Sequence, residues 1–174
     1  MTEALVLQHT EDKPIAIKQV KPDTLSEQIN KIFDSIAKRA YELFDGNGRK
    51  PGHDLDDWFK AEMELLHPVR VHFADLGENL EVHAEVPGFN EKQIEISVEP
   101  RRLTITGKRE SDKEQKRGKT VYSEGCCDRM LRIVELPMAV DADKTMATLK
   151  NGVLELTIPK AAKANTAEIK PKAA

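Results

Sequence analysis

In Ala147-Thr148-Leu149-Lys150-Asn151-Gly152-Val153-Leu154 an Asn-Gly pair separates two apolar-containing runs, a strong short-range signal for a tight β-hairpin. From Val153 to Ile158 apolar and polar residues alternate, the period-two pattern of a strand with one face buried. The same period extends back along the chain. Val69, Val71 and Phe73 alternate with Arg70 and His72, and Leu80, Val82, Ala84 and Val86 with Glu81, His83 and Glu85. Ile94, Ile96 and Val98 alternate with Glu95 and Ser97, and Leu103 and Ile105 flank Thr104. Short half-buried strands punctuated by Asp75-Leu76-Gly77, Pro87-Gly88 and Asn151-Gly152 predict an all-β sandwich over residues 68–160.

Upstream the period changes to that of a helix. Thr24-Leu25-Ser26-Glu27 has the form of a capping box, and Leu25, Ile29, Ile32, Phe33, Ile36, Ala40, Leu43 and Phe44 recur at spacings of three and four. Gly46-Asn47-Gly48 ends this helix. Asp54 is the expected cap of a second, with Asp56 and Asp57 in its first turn and an apolar stripe of Leu55, Trp58, Phe59, Met63 and Leu66. His67-Pro68 stops it. The stripes predict a helical hairpin. The chain thus divides into an N-terminal arm (1–22), a two-helix module (23–67), the sandwich (68–160) and an Ala/Lys-rich tail (161–174).

With 39% apolar and 5% aromatic residues, the 174-residue chain can bury one modest core, so assembly is expected to add stability. A net charge of −3 carries no general signal for nucleic acid or an anionic membrane. No apolar run approaches the ~18–20 residues of a membrane span, and Met1–Lys13 lacks the pattern of a secretory signal, which makes the cytoplasm the expected compartment. Cys126 and Cys127 are adjacent and lack metal-ligand spacing. His72 and His83 fall on outward phases of neighbouring strands without a third ligand, so no metal is expected. Phosphate-binding and nucleophile-elbow motifs are absent, which removes the usual grounds for ATP-driven or hydrolytic chemistry, and no cofactor is called for. A helix-turn-helix reader of DNA is disfavoured because the second helix opens with acids and offers only Lys60 as a base.

Four segments resemble one family. Glu85-Val86-Pro87-Gly88-Phe89, Leu103-Thr104-Ile105-Thr106-Gly107, Arg132-Ile133-Val134-Glu135-Leu136-Pro137 and the Ala-x-x-x-Asn-Gly-Val-Leu of Ala147–Leu154 resemble, in order and spacing, the α-crystallin domain of small heat-shock proteins. Arg39-Ala40-Tyr41-Glu42-Leu43 and Asp57-Trp58-Phe59-Lys60-Ala61-Glu62 resemble a short bacterial domain of unknown function. Two features depart from the family pattern. Gly125, Cys127, Asp128 and Met130 replace the residues that usually lead into the family arginine, and the tail carries only Ala167-Glu168-Ile169, half of an Ile-x-Ile motif.

The resemblance implies an immunoglobulin-like antiparallel β-sandwich and an ATP-independent holdase, not an enzyme, that binds unfolding client proteins. It implies a homodimer, leaving open whether a larger homo-oligomer is built from it, and places Arg132 near the dimer interface with Val69 and Val71. It also implies an edge groove bordered by Ile94, Ile96 and Val98 on one strand and Ala147 and Leu149 on another, open to strand addition. Ile15 and Ile17 of the arm are the expected occupants of that groove in place of the tail motif. Leu5, Leu7, Ile29, Phe33, Trp58 and Phe59 are the candidate client surface. The alternative is an adaptor sandwich that binds one folded partner through the groove, since fold alone does not set function.

Overall fold

The computed structural model describes residues 18–109 and 129–162. Its elements are β1 (Lys18–Gln19), α1 (Pro22–Gly46), α2 (Asp54–Leu65), β2 (Arg70–Leu76), β3 (Asn79–Glu85), β4 (Ile94–Glu99), β5 (Arg102–Lys108), β6 (Arg129–Glu135), β7 (Met146–Lys150) and β8 (Val153–Pro159). One short 3₁₀ turn, Ala142–Lys144, precedes β7. The strands form two sheets, ordered β1-β4-β5-β6 and β2-β3-β8-β7, antiparallel except for β1 on β4. The alternation read in the sequence is the burial pattern observed: Leu80, Val82 and Ala84 of β3, Ile94, Ile96 and Val98 of β4, Leu103 and Ile105 of β5, and Leu154, Leu156 and Ile158 of β8 fill one core between the sheets. The expected β-sandwich preceded by helices is the fold.

The turns are where the sequence placed them. Asn151 and Gly152 both have positive φ, 49° and 75°, the mirror-image turn whose twist suits a two-residue hairpin. Gly77 turns β2 into β3 at φ 77°, its N–H donating to Asp75 Oδ1.

The helical module differs from the expectation in three ways. α1 begins at Pro22, not at a Thr24 capping box, because proline lacks the N–H that a first turn leaves unpaired and its φ suits helix entry. Ser26, now inside the helix, donates its hydroxyl to the Pro22 carbonyl. Asp54 is the first residue of α2 and His53 precedes it as the cap residue, so Asp54 caps nothing. Finally, α2 turns a different face inward. Asp57 and Ala61 are its buried residues, whereas Leu55, Phe59 and Met63 stand outward. Ala61 is small enough to let the two helices approach closely, and Asp57 Oδ1 accepts from Asn47 Nδ2 at 3.1 Å, tying the loop to the helix. Ile32, Ile36, Ala61 and Leu66 form a second small core against which Leu131 of β6 packs. The module therefore rests on the outer face of the β4-β5-β6 sheet, where Ser97, Thr104 and Thr106 are buried.

Candidate functional site

The sandwich has two long flanks, and each holds residues singled out from the sequence. At the first flank are β4, next to the β1 edge of its sheet, and β7, the edge of the other sheet. Ile94, Ile96 and Val98 are buried in the core, while Ala147 and Leu149 are half-buried and pack against that same core. The edge of β4 is paired: β1 runs parallel to it, with Lys18 beside Glu95 and Gln19 beside Ile96, and the Val20 N–H donates to the Ile96 carbonyl at 2.8 Å. Gln19 shares the inward phase of Ile96, and its Nε2 crosses the flank to the Ala142 carbonyl at 3.0 Å, joining one sheet to the turn before β7. Lys18, on the outward phase, pairs with Glu95 Oε1, and Gln28 of α1 donates to Glu95 Oε2 at 3.1 Å. The Lys18 ammonium, with Gln28, holds the Glu95 carboxyl below the ordinary carboxylate range against the opposing effect of partial burial. Ile15 and Ile17 lie outside the described residues, as do Leu5 and Leu7.

At the second flank are β6 and β2, each the edge strand of its sheet. Directly opposed residues of an antiparallel pair share a face. Arg132 opposes the core residue Ile105 and so shares its phase, yet it is exposed. Phe73 opposes Val82 in the same way and is 40% exposed. Val71 is half-buried against the core, and Val69 is inside it. Val69 and Val71 are therefore largely occupied within their own subunit. What the flank presents outward is Arg132, Phe73, the edge of β2 and the edge of β6 beyond Arg129, whose carbonyl accepts from the His67 N–H at 2.8 Å.

The signature segments meet at one end of the sandwich. The Val86 N–H donates to the Gly152 carbonyl at 2.8 Å, and a side chain on Gly152 would lie 3.4 Å from Pro87 Cα. Next to them, Arg109 stacks over Phe89, 4.6 Å from the ring centroid. The Pro-Gly-Phe and Asn-Gly motifs are thus two halves of one packed corner.

Among the described residues, the helical module carries the three most exposed large apolar side chains of α2 together with Phe33 and Tyr41 of α1. Leu55, Phe59 and Met63 recur every fourth residue on α2 and are 70%, 56% and 78% exposed. Of the candidate client residues, Phe33 and Phe59 are exposed, while Ile29 and Trp58 are half-buried, Trp58 against the Phe33 ring at 6.5 Å. Leu55 and Met63 were legible only as stripe residues, since their outward phase depends on which face α1 covers. His72 and His83 are direct cross-strand neighbours, and His83 pairs with Glu81, but no group of three potential metal ligands occurs among the described residues.

Comparison with known proteins shows the family. The Hsp20/alpha crystallin family matches residues 74–172. The chain belongs to that family. Residues 34–67, across most of the helical module, match DUF2934, a protein family of unknown function. Small heat shock protein C2 of Rickettsia felis is 33% identical over 112 residues, 64% of this chain and 71% of that one. Spore protein SP21 of Stigmatella aurantiaca is 38% identical over 89 residues, 51% of this chain and only half the length of that protein. Among solved structures, heat shock protein 16.0 from Schizosaccharomyces pombe is 25% identical with a TM-score of 0.48, covering 62% of this chain and 97% of that one. Membership makes the protein a small heat-shock protein, a chaperone class that acts without ATP and is not enzymatic. No described helix is long and apolar enough to cross a membrane.

Proposed function

We propose that the protein is a holdase: it binds partly unfolded proteins through apolar surface on its helical module and keeps the complexes from aggregating. The observation that carries this reading is the Leu55, Phe59 and Met63 stripe, three large apolar side chains turned to solvent on a helix whose other face is packed. Contiguous exposed apolar surface marks an interaction site, and burying it against a client gains ~25 cal/mol per Å². Phe33 extends the patch onto α1. The test is suppression of client aggregation by a Leu55→Gln/Phe59→Gln/Met63→Gln variant, whose changes leave the packed face intact. Protection severalfold weaker at equal concentration supports the reading, and undiminished protection places the client surface elsewhere.

Two features of assembly belong to the same proposal. The flank of β2 and β6 serves a homodimer, because open sheet edges need cover and an inward-pointing Arg132 needs an anionic partner. At the other flank the arm fills the groove of its own sandwich. What supports this is the pairing of Lys18 and Gln19 with β4, which sets the described start of the chain on that edge, directly after the Ile15-Ala16-Ile17 segment in sequence. We place this activity in the cytoplasm.

A further inference from the structure

Between α1 and one end of the β4-β5-β6 sheet lies a cleft of about 720 Å³ whose walls carry Lys31, Lys92, Lys108 and Arg129. None of these four has an ion-pair partner among the described residues. Glu95 is the one carboxylate in the lining, and both its oxygens are engaged, one by Lys18 and the other by Gln28. Lys108 and Arg129 are, moreover, directly opposed across β5 and β6. Like charges in that position are destabilising, and an open cleft does not require them. Since the chain as a whole carries a net charge of −3, this concentration of cations is local.

We propose that the cleft binds a soluble oligophosphate, a small molecule with two or more linked phosphate groups. A concave wall of one sign focuses its field on what enters, and three lysine ammoniums with one guanidinium suit successive phosphates better than a single anion. The volume is within the roughly 300–1,000 Å³ of small-molecule sites. Because Lys31 belongs to α1 and the other cations to the sandwich and its loop, the ligand bridges the two modules and stiffens their joint. The site is independent of the holdase reading.

Calorimetric titration of the full chain with sodium tripolyphosphate tests this. One ligand is expected per chain, with binding at least tenfold weaker in Lys31→Gln/Lys92→Gln and measurably weaker in Lys92→Gln alone. Lys38→Gln/Lys50→Gln removes the same charge from exposed positions outside the cleft and should leave binding within about twofold. Absence of binding, equal loss in the control pair, or capture by phosphatidylglycerol vesicles without tripolyphosphate binding would overturn the proposal.

Discussion

A methyl group on Gly107 would lie 2.5 Å from Met130 Cε, 2.8 Å from its Cγ and 3.1 Å from a Phe89 ring carbon. Met130 is fully buried and cannot swing clear, so Gly107→Ala should cost about 1–3 kcal/mol, read as a lower urea midpoint with unchanged slope. At the same scale, Glu95 ties the arm to β4. Its folded pKa lies below the ordinary carboxylate value, so its contribution is present above that value and lost as pH falls through the depressed one. The Val20 amide, bonded to Ile96, reports the tie. Its hydrogen-exchange protection should drop on acidification below the carboxylate range, and at neutral pH in Glu95→Gln. The change should be about 1 kcal/mol or less, since Lys18 is mostly solvated. Unaltered protection in the variant would show that the arm is held by something else. Gly152 was legible from sequence because Asn-Gly is itself a turn signal, whereas Gly107, inside β5, was legible only as the end of a strand segment. Glu95 was not, because Lys18 and Gln28 lie 77 and 67 residues away and nothing local marks the meeting.

For whole elements, the strands were legible because the core apolar side chains of each fall on one face, even where the helical module also covers the other face of β4 and β5, and a period of two leaves no second choice of phase. The helices were less so. On α2, apolar residues at spacings of three and four fit more than one face, and the choice was made by Ala61 and by the Asn47–Asp57 hydrogen bond, neither of which a hydrophobic stripe reveals. The outcome is the feature on which the client proposal stands. Gln at Leu55, Phe59 and Met63 removes apolar surface that contributes little to the packed core, so far-UV circular dichroism and the urea midpoint should hold while client protection falls. The start of α1 was misplaced for a similar reason: the capping-box pattern at Thr24 is real as a sequence, but Pro22 already provides a helix entry that needs no side-chain cap.

At the scale of the molecule, the sandwich leaves β1, β2, β6 and β7 as sheet edges among the described residues, with Arg132 exposed on the inward phase of β6. If a second copy covers the flank of β2 and β6 and pairs the guanidinium, Arg132→Ala should strip a buried charge pair of one member, at about 3–5 kcal/mol of dimer stability. Sedimentation would then show a shift toward monomer, and an unmoved profile would place the interface elsewhere. Neither flank decides between a holdase and an adaptor for one folded partner, but breadth of clients does. The direct measurement is light scattering of two unrelated heat-labile enzymes warmed with and without the protein, in the absence of ATP. Suppression of both at near-stoichiometric ratios is the predicted result. Protection of neither, by protein that is demonstrably folded, would contradict the holdase account.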